Sequence, residues 1–90
     1  MARSATLANV SASATSVALF PANGGVEART VHNDSAATLY LKYGATASTT
    51  SYTVKIPADG YFEFPRPVFE GLVHGIWSSA TGTARTTEVA

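Results

Sequence analysis

Three carboxylates, Asp59, Glu63 and Glu70, fall close together in the chain and are the residues from which acid–base chemistry could be built. A glycosidase-type pair needs two carboxyl groups about 5–10 Å apart around a sugar. Exposed strands carry Glu and tight turns carry Asp without any such role, and a chain of 90 residues has little room for a walled cleft. His32 and His74 are the next chemical groups, and their separation matches no local metal-binding motif. The absence of cysteine removes disulfides and Cys-based zinc sites together. Serine is plentiful, yet no G-x-S-x-G elbow occurs, and the Gly24-Gly25 pair in PANGG lacks the Gly-Lys-Ser/Thr ending of a phosphate loop. The expectation is a non-enzymatic chain without catalytic, cofactor-binding or metal-ligating residues. The carboxylate cluster alone keeps a small hydrolase as a rival.

Binding chemistry is better supplied than reaction chemistry. Tyr40, Tyr61 and Trp77 combine an apolar body with a polar tip, the combination that stacks on sugars or fills protein interfaces. Trp77 is also, with Phe62 and Phe64, the natural filling of a small core, and that is the reading we expect for it. Arg66 stands between Pro65 and Pro67 on a stiff segment, where it is a candidate anchor.

These side chains must be positioned by a small scaffold. One domain, 1–90, accommodates the whole chain, with the N-terminal segment 1–14 as a flexible lead. Six basic and six acidic residues are dispersed without a run of either sign, so no basic stripe offers itself to nucleic acid. Polar residues break every apolar run near the N-terminus, so neither a signal peptide nor a membrane span is expected. Short β-branched and aromatic runs are punctuated by turn formers, the pattern of a sandwich or barrel. Strands are expected near 5–11, 15–20, 26–32, 37–43, 51–56, 60–64, 72–78 and 84–89. Segment 5–20 is rich enough in Ala to keep a helix open there, although Ser and Thr oppose it. The fold class is therefore all-β, a small antiparallel β-sandwich, jelly-roll-like, of about eight short strands.

Alternation fixes one pairing in detail. Leu39, Leu41 and Tyr43 share one face, as do Tyr52, Val54 and Ile56, which predicts the opposites Leu39–Ile56, Leu41–Val54 and Tyr43–Tyr52. The outer face then carries Tyr40 beside Lys55 and Lys42 beside Thr53. The linker 44–51, GATASTTS, is either a plain flexible loop or a small-residue surface that lies flat against a neighbour, through Thr46, Ser48 and Thr49. PADG, 57–60, is a turn in which Gly60 is expected to take positive φ. Pro65-Arg66-Pro67 cannot pair in a central strand. Protein contacts are thus expected through outer Tyr40, Lys42 and Lys55, through Thr46, Ser48 and Thr49, through Tyr61, and through Pro65, Arg66 and Pro67.

The run from Val31 to Gly44, VHNDSAATLYLKYG, continues as ATASTTSYTVK through Lys55. With Gly60–Phe64 and Gly75–Ala80, it resembles a family of small proteins encoded by tailed bacteriophages. Members of that family share an NDS-ATLYVK-G-TAS-TSYTV core, a Gly-Tyr-Tyr/Phe-Glu segment and a Gly-Ile-Trp-Ser/Ala-Ser/Ala ending. The resemblance covers roughly residues 15–89. It implies a virion structural protein, foremost a capsid decoration or cement protein, built on a β-sandwich. Its implied partners are the major capsid protein and further copies of itself, often as a trimer, on the capsid surface after assembly in a host cytoplasm. A head-completion role, or a tail- or fibre-associated glycan-binding role, is the alternative. Neither nucleic acid nor membrane is an expected partner, and no cofactor is.

Overall fold

The computed structural model describes residues 3–90, and these contain strands and connections with no helix. Segment 5–20, open to helix on composition, is instead β1 (Ala5–Ser11) and β2 (Val17–Phe20). The remaining strands are β3 (Ala28–Ser35), β4 (Leu39–Tyr43), β5 (Val54–Ile56), β6 (Tyr61–Glu63), β7 (Val73–Trp77) and β8 (Gly82–Val89). Residues 1 and 2 of the segment set apart as a flexible lead lie outside the described residues.

Two four-stranded antiparallel sheets form, one in the order β1-β8-β3-β6 and the other β2-β7-β4-β5. The pairings β1–β8, β2–β7, β3–β6 and β4–β5 amount to one long antiparallel ribbon, rolled so that β8 also meets β3 and β7 also meets β4. That is the jelly-roll arrangement expected from the sequence. Between the sheets lie Leu19, Phe20, Val31, Leu39, Leu41, Ile56, Phe64, Val73, Trp77 and Ala84, all buried. Period-two alternation produces this directly: β7 reads buried at Val73, Gly75 and Trp77 and part-exposed at His74 and Ile76. Gly75 is required by packing, because a Cβ there would lie 2.8 Å from Leu19 Cδ1 and 2.9 Å from Leu39 Cδ1.

Two details depart from the sequence reading. In the PADG turn the positive φ falls on Asp59, at 61°, and not on Gly60. Asp tolerates the left-handed region better than most residues, and Gly60 is needed for room, since its Cβ would meet Pro57 at 2.9 Å. The second departure lies beside β5. Leu39–Ile56, Tyr40–Lys55 and Leu41–Val54 pair as expected. The ladder then slips: Thr53 N–H donates to Leu41 O (2.7 Å), and the Tyr43 N–H is taken by Thr53 Oγ1 (2.9 Å). A one-residue slip reverses the facing of a side chain, so Tyr52 does not oppose Tyr43 in the core. Tyr43 stacks instead on Phe69, with centroids 4.6 Å apart and planes 3° from parallel, and on Phe64 at 5.2 Å.

Candidate interaction face

The slip at Thr53 gives the outer face of the β2-β7-β4-β5 sheet its main feature. Tyr52 turns onto Tyr40, ring centroids 5.1 Å apart at 65°, an edge-to-face pair. Register places Tyr40 between Ile76 on β7 and Lys55 on β5, and Lys42 beside His74. An aromatic pair, a part-exposed Ile and two lysines therefore share one face, with Tyr52 40% exposed.

Loop 44–51 borders this face and is tied down. Ala47 is buried, and its N–H donates to Ser16 Oγ at 3.0 Å. Ser16 Oγ is also 2.8 Å from His74 Nδ1. With the hydroxyl oxygen accepting from Ala47, the hydroxyl proton is free to go to the ring nitrogen, so β7 holds the loop through a single serine. Lys42 Nζ donates to Thr46 O (3.2 Å) and Ser51 Oγ (2.8 Å), joining the two ends of the loop to β4. Ser48 and Ser51 exchange backbone hydrogen bonds, and Ser48 Oγ accepts from the N–H groups of Thr50 and Ser51. Thr46 and Thr49 stay exposed at the rim, and Ser48 is part-exposed.

The expected contact residues do not all meet. Tyr40, Lys42 and Lys55 share the face, and Thr46, Ser48 and Thr49 border it. Tyr61, 62% exposed, is on β6 of the opposite sheet, across from His32. Pro65, Arg66 and Pro67 are exposed in the β6–β7 connection. Trp77 is 1% exposed and belongs to the core.

The chemical candidates are dispersed or already engaged. His32 and His74 lie on different sheets, and His32 Nε2 meets Asp59 Oδ1 at 2.9 Å. Glu63 projects from β6 opposite Thr30, while Glu70 is exposed in the β6–β7 connection, where its carbonyl accepts from Asn23 N–H. Among the described residues no group of three or more His, Cys, Asp or Glu side chains could hold a metal ion.

Three residues of this region escaped the sequence reading: Tyr52 as an outer residue, and the Ser16–His74 pair. Thr53 keeps the regular alternation of Tyr52, Val54 and Ile56, so nothing in the chain signals the slip, and nothing signals a contact between residues so far apart as 16 and 74. No family model, no curated protein and no solved structure matches this chain.

Proposed function

We propose that this protein is a non-enzymatic structural component of a tailed-bacteriophage virion, a capsid decoration protein that seats the outer face of its β2-β7-β4-β5 sheet on the major capsid protein. The observation that carries the reading is the Tyr40–Tyr52 pair, held beside Ile76 and flanked by Lys42 and Lys55 on a face bordered by a tied loop. Protein interfaces concentrate aromatic anchors near their centres and leave charged side chains such as lysines to the polar rim, which is the arrangement of Tyr40 and Tyr52 with Lys42 and Lys55 around them. A pre-ordered loop adds contact without the entropy loss of freezing a mobile one. The resemblance of residues 15–89 to small phage proteins supplies the partner, and the jelly roll is a fold used by capsid and lectin domains alike, which supports it by analogy.

The mechanism is passive. Side chains and loop bridge neighbouring capsid subunits at the shell surface, adding contacts that must break before the shell opens. Binding to assembled shell and not to separated subunits raises the stability of the shell by mass action. A glycan-binding module of the tail or fibre would use the same tyrosines as stacking platforms. The deciding experiment adds purified protein to undecorated shells of its own phage and follows co-sedimentation and shell disruption by calorimetry. Saturable binding with a higher disruption temperature supports decoration; no binding, together with tyrosine-dependent binding to a glycan array, replaces it with the glycan reading.

A further inference from the structure

A jelly roll leaves four sheet edges, and three of them here are blunted. β5 and β6 are three residues long, and β2 is four residues long with a register shift between Ala18 and Phe20. Short or bulged edges resist pairing with other chains. The fourth edge, β1, pairs with β8 over seven residues in unbroken register and carries neither charge nor proline, ATLANVS.

The direction of its free backbone groups follows from the ladder. Ser4 and Ala90 exchange both N–H···O bonds, and Ala12 N–H donates to Gly82 O. In an antiparallel pair such positions alternate, so Thr6, Ala8 and Val10 point their backbone groups at β8. Ala5, Leu7, Asn9 and Ser11 point theirs to the open edge. Leu7, 73% exposed, is the most exposed large apolar side chain among the described residues and stands midway along this free edge.

We infer that β1 pairs antiparallel with β1 of a second copy, about a two-fold axis through Leu7, joining the two β1-β8-β3-β6 sheets into one. The strand is its own match in this register. Ala5 stands opposite Asn9, Thr6 opposite Ala8, Ser4 opposite Val10 and Arg3 opposite Ser11, so every other facing pair contains an Ala or a Ser and no like charges oppose. Leu7 alone meets its own copy, which covers the exposed apolar side chain. The facing Leu7 residues form a hydrogen-bonded pair, with Cα atoms about 5.5 Å apart. A small single-core chain gains stability from such pairing that rises with the logarithm of protein concentration. A two-fold contact gives dimers and departs from the trimer that the phage resemblance implies; it does not depend on the virion role.

The test uses the whole chain, which contains no cysteine. Light scattering across a dilution series should give twice the chain mass for the parent protein and the single mass for Leu7→Lys, with an unchanged circular dichroism spectrum. Under mild oxidation Leu7→Cys should convert to a covalent dimer. Asn9→Cys should not, because its two copies would be about 13 Å apart along the strands, beyond the roughly 7 Å that a disulfide spans. A monomer or trimer for the parent protein, a Leu7→Lys dimer, or cross-linking of Asn9→Cys as readily as Leu7→Cys would each overturn the pairing.

Discussion

Trp77 on β7 donates its indole N–H to Asn33 Oδ1 on β3 at 3.0 Å, a hydrogen bond that joins the two sheets through the middle of the core. Both side chains are fully buried. The same Oδ1 accepts from Ser35 Oγ at 2.7 Å, and Asn33 Nδ2 donates toward the carbonyls of Ala37, Ile56 and Pro57. Asn33→Ala would orphan the indole N–H and these carbonyls at once, at about 1–3 kcal/mol for each group left unsatisfied in the interior. The expected loss is about 3 kcal/mol or more, read by urea unfolding with fluorescence of the single tryptophan. A loss below about 1 kcal/mol would show that the network contributes little beyond packing.

Arg29 is a second buried polar centre, with no exposed surface. Its Nε meets Glu88 Oε2 at 2.8 Å, Nη1 donates to Phe69 O and Gly71 O, and Nη2 donates to Pro21 O. The guanidinium carbon also sits 5.0 Å from the centre of the Phe20 ring. Arg29 thus fastens the β2–β3 and β6–β7 connections to β3 and β8. Arg29→Met should lower stability by about 3–5 kcal/mol, the range for breaking a buried pair by removing one partner. Arg29→Lys should lower it too, because a point cation cannot reproduce a planar fork reaching four acceptors. Thermal melts of the two variants check both losses.

Alkaline pH should weaken the fold through Tyr43. Burial raises its phenol above the ordinary value of 10.0, and the positive charge of Arg29 opposes that rise without cancelling it. A raised folded-state value means the contribution is complete below about pH 10 and lost as pH climbs through the folded value. Unfolding free energy should therefore fall above about pH 10, and Tyr43→Phe should flatten that fall while keeping the stacking on Phe69 and Phe64. A fall of equal slope in parent and variant would assign the alkaline loss to other groups.

Alternation makes most of this fold readable from the chain alone. Leu39, Leu41, Val54 and Ile56 announce their pairing because a one-residue slip would expose all four. The same reasoning reaches further than the apolar residues: Arg29 and Asn33 keep the phase of Val31 along β3, which places both in the interior despite their polarity. The Asn33-Asp34-Ser35 motif of the phage resemblance is accordingly a device of the fold, tying Trp77 and two turns together, and its presence speaks for architecture before function. The interaction face was legible only in part. Tyr40, Lys42 and Lys55 follow from alternation along β4 and β5, whereas Tyr52 joins them through a ladder slip and Ser16 through a contact that sequence separation hides.

Ser16→Ala should loosen loop 44–51 without unfolding the chain. It removes the acceptor for Ala47 N–H and the partner of His74 Nδ1, while Lys42 still holds the loop ends. Hydrogen exchange should quicken at Ala47 and its neighbours by about 5- to 10-fold, equivalent to losing one hydrogen bond of about 1 kcal/mol, and stay unchanged in β3 and β8. Exchange that quickens everywhere would mean that the serine supports the whole domain.

The face can be separated from the fold by comparing Tyr52→Ala with Asn33→Ala. Tyr52 is 40% exposed and its ring lies on Tyr40, so truncation forfeits about 0.5–1.5 kcal/mol of aromatic pairing and leaves the core intact. If the face seats on capsid, Tyr52→Ala and Lys55→Glu should each weaken shell binding at least about tenfold, equivalent to about 1.4 kcal/mol, with a melting temperature no more than about 10 °C below that of the parent. Asn33→Ala should do the reverse at a temperature where it remains folded, lowering the melting point while sparing affinity, because its side chain lies beneath the sheets and touches no outer surface. Binding that tracks melting temperature across all three variants would reassign the tyrosine pair to stability and move the contact to the opposite sheet, where Tyr61 is exposed beside His32.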